Sequence, residues 1–168
     1  MSKIMIYGKG DEKTLDKFIS DWNASANTFK DIYIDCEGGL YSVFQVMLDI
    51  INSTPSKCQL IACGELHSAA FEMFYLAKCR KKIIPFTFGM YHLATDEIET
   101  DEKGKPKSGQ AQAKLDNLKA TKKFTLSFCQ KIGMNASEIK RIKNGEDVYF
   151  QTDRLNYFLK FTEQKNTP

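Results

Sequence analysis

The chain has 168 residues, a length that suits a single domain, 1–168, with a sizeable core. Apolar residues make up 42% and charged residues 27%, and a net charge of +3 gives no argument for a nucleic-acid or anionic-membrane partner. No apolar run approaches the length of a membrane span, and the opening MSKIMIYGKGDEK has too short an apolar stretch for a signal peptide, so a cytoplasmic location is expected.

Residues 3–7, KIMIY, form a short strand, stopped by Gly8-Lys9-Gly10. Asp11 then caps a helix whose apolar face carries Leu15, Phe18, Ile19 and Trp22. Residues 31–36 are a second strand that breaks at Glu37-Gly38-Gly39. Val43, Val46, Met47, Ile50 and Ile51 mark the next helix, which closes before Pro55. Residues 58–63 are a third strand ended by Gly64, and an apolar helix follows from Ser68 to about Lys78. Residues 82–85 and 89–93 read as short strands. Strands alternating with helices imply right-handed crossovers and a mostly parallel sheet, an α/β fold.

The composition changes after Thr95. Residues 95–108, TDEIETDEKGKPKS, read as a loop or extension. A long helix fits 110–132, so that 95–132 forms a loop-plus-helix region. Asn135 caps a short helix that ends near Asn144-Gly145. Val148-Tyr149-Phe150 and a final helix from about Thr152 to Phe161 follow.

The chemistry-bearing residues sit in the turns. Gly38-Gly39 joins a strand to a helix, either as a plain turn or as a place where the Gly39 amide points at an anion. Ser68 stands where a helix cap belongs, the commoner role, or else where a nucleophile would be exposed at a sheet edge with the Ala69 amide as an oxyanion donor. The two histidines are His67 and His92. His67 is adjacent to Ser68, and neighbours on a helix do not face each other, so His92 is the better-placed base, or else a hydrogen-bonded core residue. Asp147 is either a solvated turn acid or the carboxylate that orients a histidine. The five cysteines are odd in number, lack C-x-x-C spacing and sit among apolar neighbours, which argues against a disulfide framework or zinc site. No metal or cofactor is implied.

Taken together, these segments resemble the Clp protease proteolytic subunit. Asp35-Cys36-Glu37-Gly38-Gly39 is similar to its Ser-Pro-Gly-Gly oxyanion segment, with Cys36-Glu37 in place of Ser-Pro. Gly64-x-x-x-Ser68-Ala69 resembles its nucleophile turn, and Met90-Tyr91-His92, preceded by Pro85, resembles its Met-Ile-His segment. Ser108-Gly109-Gln110-Ala111 is similar to the entry of its handle helix, and Glu146-Asp147 before an aromatic pair resembles the segment bearing its catalytic acid. His67 stands where that family has a small residue.

The resemblance spans nearly the whole chain. It implies a crotonase-like ββα spiral with a mostly parallel sheet and a long handle-like helix. It implies a serine endopeptidase acting on unfolded proteins or peptides, with Ser68 as nucleophile, His92 as base and Asp147 as orienting acid. Gly39 and Ala69 would form the oxyanion hole. The implied partners are a polypeptide substrate and further copies in a homo-oligomeric ring, with no nucleic acid and no membrane. The family's N-terminal helix and axial loops have no counterpart ahead of the first strand, which leaves an AAA+ unfoldase partner open and suits a shortened, phage-like or mobile-element form. Two other readings stay beside this one: a catalytically silent scaffold or assembly protein of the same fold, and a crotonase-type acyl-CoA enzyme using the same two amides.

Overall fold

The protein is described here by a computed structural model over residues 1–93 and 100–165. The fold is α/β. Among the described residues it has six helices and one mixed, mostly parallel sheet of six strands, an arrangement compatible with an α/β spiral. The chain divides into two compact units, one of residues 1–91 with 148–168 and one of residues 92–147.

The first unit begins with β1 (Ser2–Gly10), α1 (Glu12–Ala24), β2 (Lys30–Gly39) and α2 (Tyr41–Ser53). It continues through β3 (Cys58–His67), α3 (Ser68–Leu76), β4 (Arg80–Ile83) and β5 (Phe88–Tyr91). The chain returns to this unit as β6 (Val148–Phe150) and α6 (Thr152–Lys165). β1, β2 and β3 pair in parallel, with Ile4 opposite Ile32 opposite Leu60, and Ile6 opposite Ile34 opposite Ala62. These six side chains are fully buried. One register therefore places alternate apolar residues of three strands on a single covered face. Phe18 of α1, Met47 and Ile51 of α2, and Phe71 and Phe74 of α3 are buried as well.

The far edge of β3 is shared. Residues Gln59 to Ala62 pair with β4, and Glu65 to His67 pair with β5. Between them the chain detours past Thr87, whose hydroxyl donates to Ala62 O at 3.1 Å and Ile84 O at 2.7 Å. Thr152 at the start of α6 donates to Thr87 O at 2.9 Å. β6 joins β5 antiparallel and makes the sheet mixed.

Three strands run further than the sequence suggests. The glycines expected to end them act as bulges instead. Gly8 has φ +69, and the β1–β2 register shifts just after it. β2 keeps its pairing through Gly38 to Gly39, which lies opposite Gly10. In β3, Gly64 has φ +93, and the register jumps from Ile34 opposite Ala62 to Cys36 opposite Leu66. Asp35 anchors that bulge. Its Oδ1 accepts the Glu65 amide at 2.8 Å, and a Cβ on Gly64 would lie 2.3 Å from the same oxygen. Two ends also move: α3 stops at Leu76, short of Lys78, and α6 runs to Lys165 rather than Phe161.

The second unit contains α4 (Gly109–Lys131) and α5 (Ala136–Lys143). Ser108 caps α4 by accepting from the Ala111 amide at 3.1 Å. Asn135 and Glu138 form a reciprocal capping box at the start of α5. The buried apolar residues of this unit include Leu93, Ala111, Phe128, Cys129, Ile132, Met134 and Ile142. Of the polar stretch expected at 95–108, residues 95–99 lie outside the described residues. From Thr100 onward the chain turns back: Thr100 bridges to Pro106, and Asp101 Oδ1 accepts from the amides of Lys103 and Lys105 at 2.9 and 2.8 Å.

Candidate functional site

Ser68 is the first residue of α3, directly after β3. The cap position falls on His67, whose side chain makes no capping bond. Ser68 has φ 51, one of two positive values among the described non-glycine residues. That backbone is disfavoured for a side chain with a Cβ by about 1–2 kcal/mol. The left-handed kink turns the chain sharply from strand to helix.

The neighbouring strand end is built around this corner. Gly38, at φ +87, lies so close that a Cβ there would be 2.8 Å from Ser68 Cβ and 2.9 Å from His67 O. Gly39 packs on the other side: a Cβ there would be 2.2 Å from Gly10 O. The glycine pair is thus required by close backbone approach on both flanks. Leu40 N then donates to Gly10 O at 2.8 Å before α2 starts at Tyr41. Ala69 occupies the first turn of α3, where backbone amides lack intrahelical acceptors and the helix end carries positive potential.

Cys36, two residues before Gly38, is fully buried, and its Sγ points to Gly38 O at 3.8 Å. Burial pushes its thiol up to about 11, so it stays protonated at neutral pH.

His67 ends β3 directly before Ser68. Its ring meets Tyr149 edge-on at 6.4 Å between centroids, and its Nδ1 is 4.0 Å from Glu65 Oε2. In the second unit, His92 Nδ1 lies 3.3 Å from Asp147 Oδ1. His92 was expected inside a strand, but β5 ends at Tyr91, leaving His92 just beyond it. Asp147 similarly immediately precedes β6. The antiparallel pairing of Tyr91 with Val148 explains why residues so far apart in sequence meet. A carboxylate at that distance favours the imidazole tautomer protonated on Nδ1, leaving Nε2 as the basic nitrogen.

The structure therefore gathers Ser68, Ala69, Gly38 and Gly39 at one corner of the first unit, and pairs His92 with Asp147 in the second. Sequence reasoning missed Glu72 of α3. It is 6% exposed, and its Oε1 accepts a hydrogen bond from the Tyr91 hydroxyl. Burial, opposed by that bond, holds its carboxyl above the usual range. A lone acid in the apolar run AAFEMFYL was the available signal. Among the described residues, no group of three or more histidine, cysteine or acidic side chains is placed to hold a metal, and no helix is long and apolar enough to cross a membrane.

No protein-family model matches the chain, and no curated protein matches it.

Proposed function

We propose that the protein is a serine peptidase of the Clp proteolytic-subunit type, hydrolysing peptide bonds of unfolded chains or peptides. The observation that carries this reading is the backbone of Ser68, held at φ 51 on the β3–α3 corner against Gly38. A serine that only caps a helix has no use for that strain. A nucleophile does, because a sharp strand-to-helix turn presents the hydroxyl beyond the sheet edge.

In the proposed mechanism, Ser68 Oγ attacks the scissile carbonyl and forms a new C–O bond. His92 Nε2 takes the serine proton, and Asp147 stabilises the resulting imidazolium through Nδ1. The amides of Gly39 and Ala69 stabilise the oxyanion. As the C–N bond breaks, His92 gives its proton to the leaving amine. Water, deprotonated by His92, then hydrolyses the acyl-serine. The 3.3 Å approach of His92 to Asp147 supports the second half of this assignment. The reading extends to a cytoplasmic homo-oligomeric ring. The half-buried Leu115 and Leu118 and the exposed Phe124 give α4 apolar surface for contact with further copies.

The test is labelling of the native protein with a fluorophosphonate. Label on Ser68, lost in Ser68→Ala and in His92→Ala, is the expected result. A folded protein that takes no label overturns the reading. Measuring the oligomeric mass of the same sample tests the ring.

A further inference from the structure

Away from the Ser68 corner, two thiols meet where β3 and β4 begin. Cys58 opens β3, and Cys79 stands immediately before β4. The two strands pair in parallel with Gln59 opposite Arg80. Continuing that register one position back sets Cys58 beside Cys79. Both residues are buried, at 1% and 6% exposed, and their thiols hydrogen-bond to one another. Neighbouring strands lie about 4.8 Å apart. That separation falls within the roughly 4.4–6.8 Å that a disulfide spans between Cα atoms.

The pair is chemically asymmetric. Cys79 is held below the ordinary thiol value, first because the Cys58 thiol donates to it. Burial opposes this, while the Lys81 charge and the amides of Cys79 and Leu60 assist it. Lys81 is held nearby, with its Nζ 3.5 Å from Cys79 O. Cys58 is pushed up by the same bond and by burial, so it keeps its proton. Burial also pushes Cys36 and Cys63 up. Cys63 is the more exposed thiol, yet it ionises less readily than Cys79. The thiolate is the reactive form of cysteine, so Cys79 is the thiol set to react.

We propose that Cys58 and Cys79 are a peroxide-sensing pair, closing to a reversible disulfide that clasps the β3–α3 crossover at both ends. The Cys79 thiolate attacks one oxygen of hydrogen peroxide, and the O–O bond breaks. Cys79 becomes a sulfenic acid, and the released hydroxide takes up a proton and leaves as water. The Cys58 sulfur then attacks the Cys79 sulfur. The Cys58 proton departs with the sulfenic hydroxyl as a second water, and the S–S bond forms. Two thiols give up two electrons, and one peroxide is reduced to two waters. The closed loop runs from Cys58 to Cys79 and holds Ser68 and all of α3. Cross-linking its ends restricts the unfolded chain and so stabilises this crossover. The inference uses no residue of the proposed triad and stands apart from the peptidase reading.

The test treats the native full-length protein with hydrogen peroxide, blocks remaining thiols with iodoacetamide under denaturing conditions, and maps tryptic peptides without reduction. Trypsin cuts after Lys57, Lys78 and Arg80, so the expected product joins peptide 58–78 to the dipeptide Cys79-Arg80. The same product from Cys63→Ala assigns the bond to Cys58, the one cysteine then left in that peptide. Tm is read in one oxidised sample before and after dithiothreitol, which keeps any methionine oxidation common to both. A Tm higher by roughly 4–10 °C in the disulfide form is expected. Cys58 and Cys79 still alkylated after Cys63 has been oxidised would overturn the proposal. So would Cys79 driven to sulfinic acid with no link to Cys58. A link that dithiothreitol cannot open in the native protein, or one that leaves Tm unchanged, overturns the reversible clasp.

Discussion

The Tyr91 hydroxyl, at the end of β5, donates to the Glu72 carboxylate on α3, and both residues are buried. The bond ties the helix that begins at Ser68 to the strand that leads into His92. Tyr91 also stacks on Phe71 of the same helix, with centroids 5.2 Å apart. Replacing Tyr91 with Phe keeps that ring contact and removes only the donor. Glu72 would then have neither oxygen satisfied by this partner. A loss of about 1–3 kcal/mol in urea unfolding at neutral pH is expected. A variant as stable as the parent would show that water replaces the hydroxyl.

Glu72 also makes stability depend on pH, with a definite sign. Its folded carboxyl lies above the ordinary value of 4.5, mainly through burial. Between the unfolded and folded values the native state holds the proton more tightly than the unfolded chain does. The contribution is therefore complete below the unfolded value and is lost as pH rises through the folded value. Glu72→Gln cannot titrate. The difference in Tm between variant and parent is expected to shift in the variant's favour as pH rises from about 4 to 8. A difference that stays constant over that range would mean that the carboxyl titrates normally.

Much of the architecture follows from spacing that can be read in one dimension. Ile4 and Ile6, Ile32 and Ile34, and Leu60 and Ala62 recur in short apolar runs, and three such runs separated by helical patterns lead to a parallel sheet. Asp11 and Asn135 announce helix starts because their short oxygens reach amides three residues on. The strand ends were less legible. Gly8, Gly38 and Gly64 look like breakers in sequence, whereas bulged pairing with the next strand absorbs their positive φ. Nothing local predicts that Asp35 will accept the Glu65 amide and pin the bulge. The Glu72–Tyr91 pair was hidden for a related reason. Partners 19 residues apart are joined by tertiary packing, to which helical and strand periodicity are blind.

Gly38 offers a steric test of the Ser68 corner. An alanine there adopts φ +87 and drives its Cβ to 2.8 Å from Ser68 Cβ. Gly8 has a similar φ of +69 with nothing within 4 Å of a Cβ, so Gly8→Ala isolates the backbone effect. Gly8→Ala is expected to cost about 1–2 kcal/mol, and Gly38→Ala about 2–4 kcal/mol. Only Gly38→Ala should also slow fluorophosphonate labelling, by tenfold or more. Equal losses for the two variants would mean that the corner yields easily.

Asp147 separates orientation from mere proximity. It is half-exposed, so its pairing with His92 adds little to stability and Asp147→Asn should fold normally. The amide can no longer hold Nδ1 protonated in the same way, and the basic nitrogen is lost from the productive position. Peptidase kcat is expected to fall on the order of 10³–10⁴-fold. An unchanged kcat would remove Asp147 from the mechanism while leaving the Ser68 assignment standing.

Ser68 itself permits a test that needs no substrate. At φ 51 it carries strain that glycine does not feel. Ser68→Gly relieves that strain but adds unfolded-state freedom, for a net gain of about 0.5–1 kcal/mol. In a chain of this length that raises Tm by about 1–4 °C. Ser68→Ala removes the same hydroxyl and keeps a Cβ, so it retains the strain and should gain nothing. The two variants share the loss of the hydroxyl and differ in backbone tolerance. A Tm that rises for glycine but not for alanine therefore measures the backbone alone. A fold that holds its serine in an unfavourable conformation gives up stability at that position, as expected where the hydroxyl must be aimed. Equal Tm values for Ser68→Gly and Ser68→Ala would show that the corner is unstrained, and the main support for Ser68 as nucleophile would go with it.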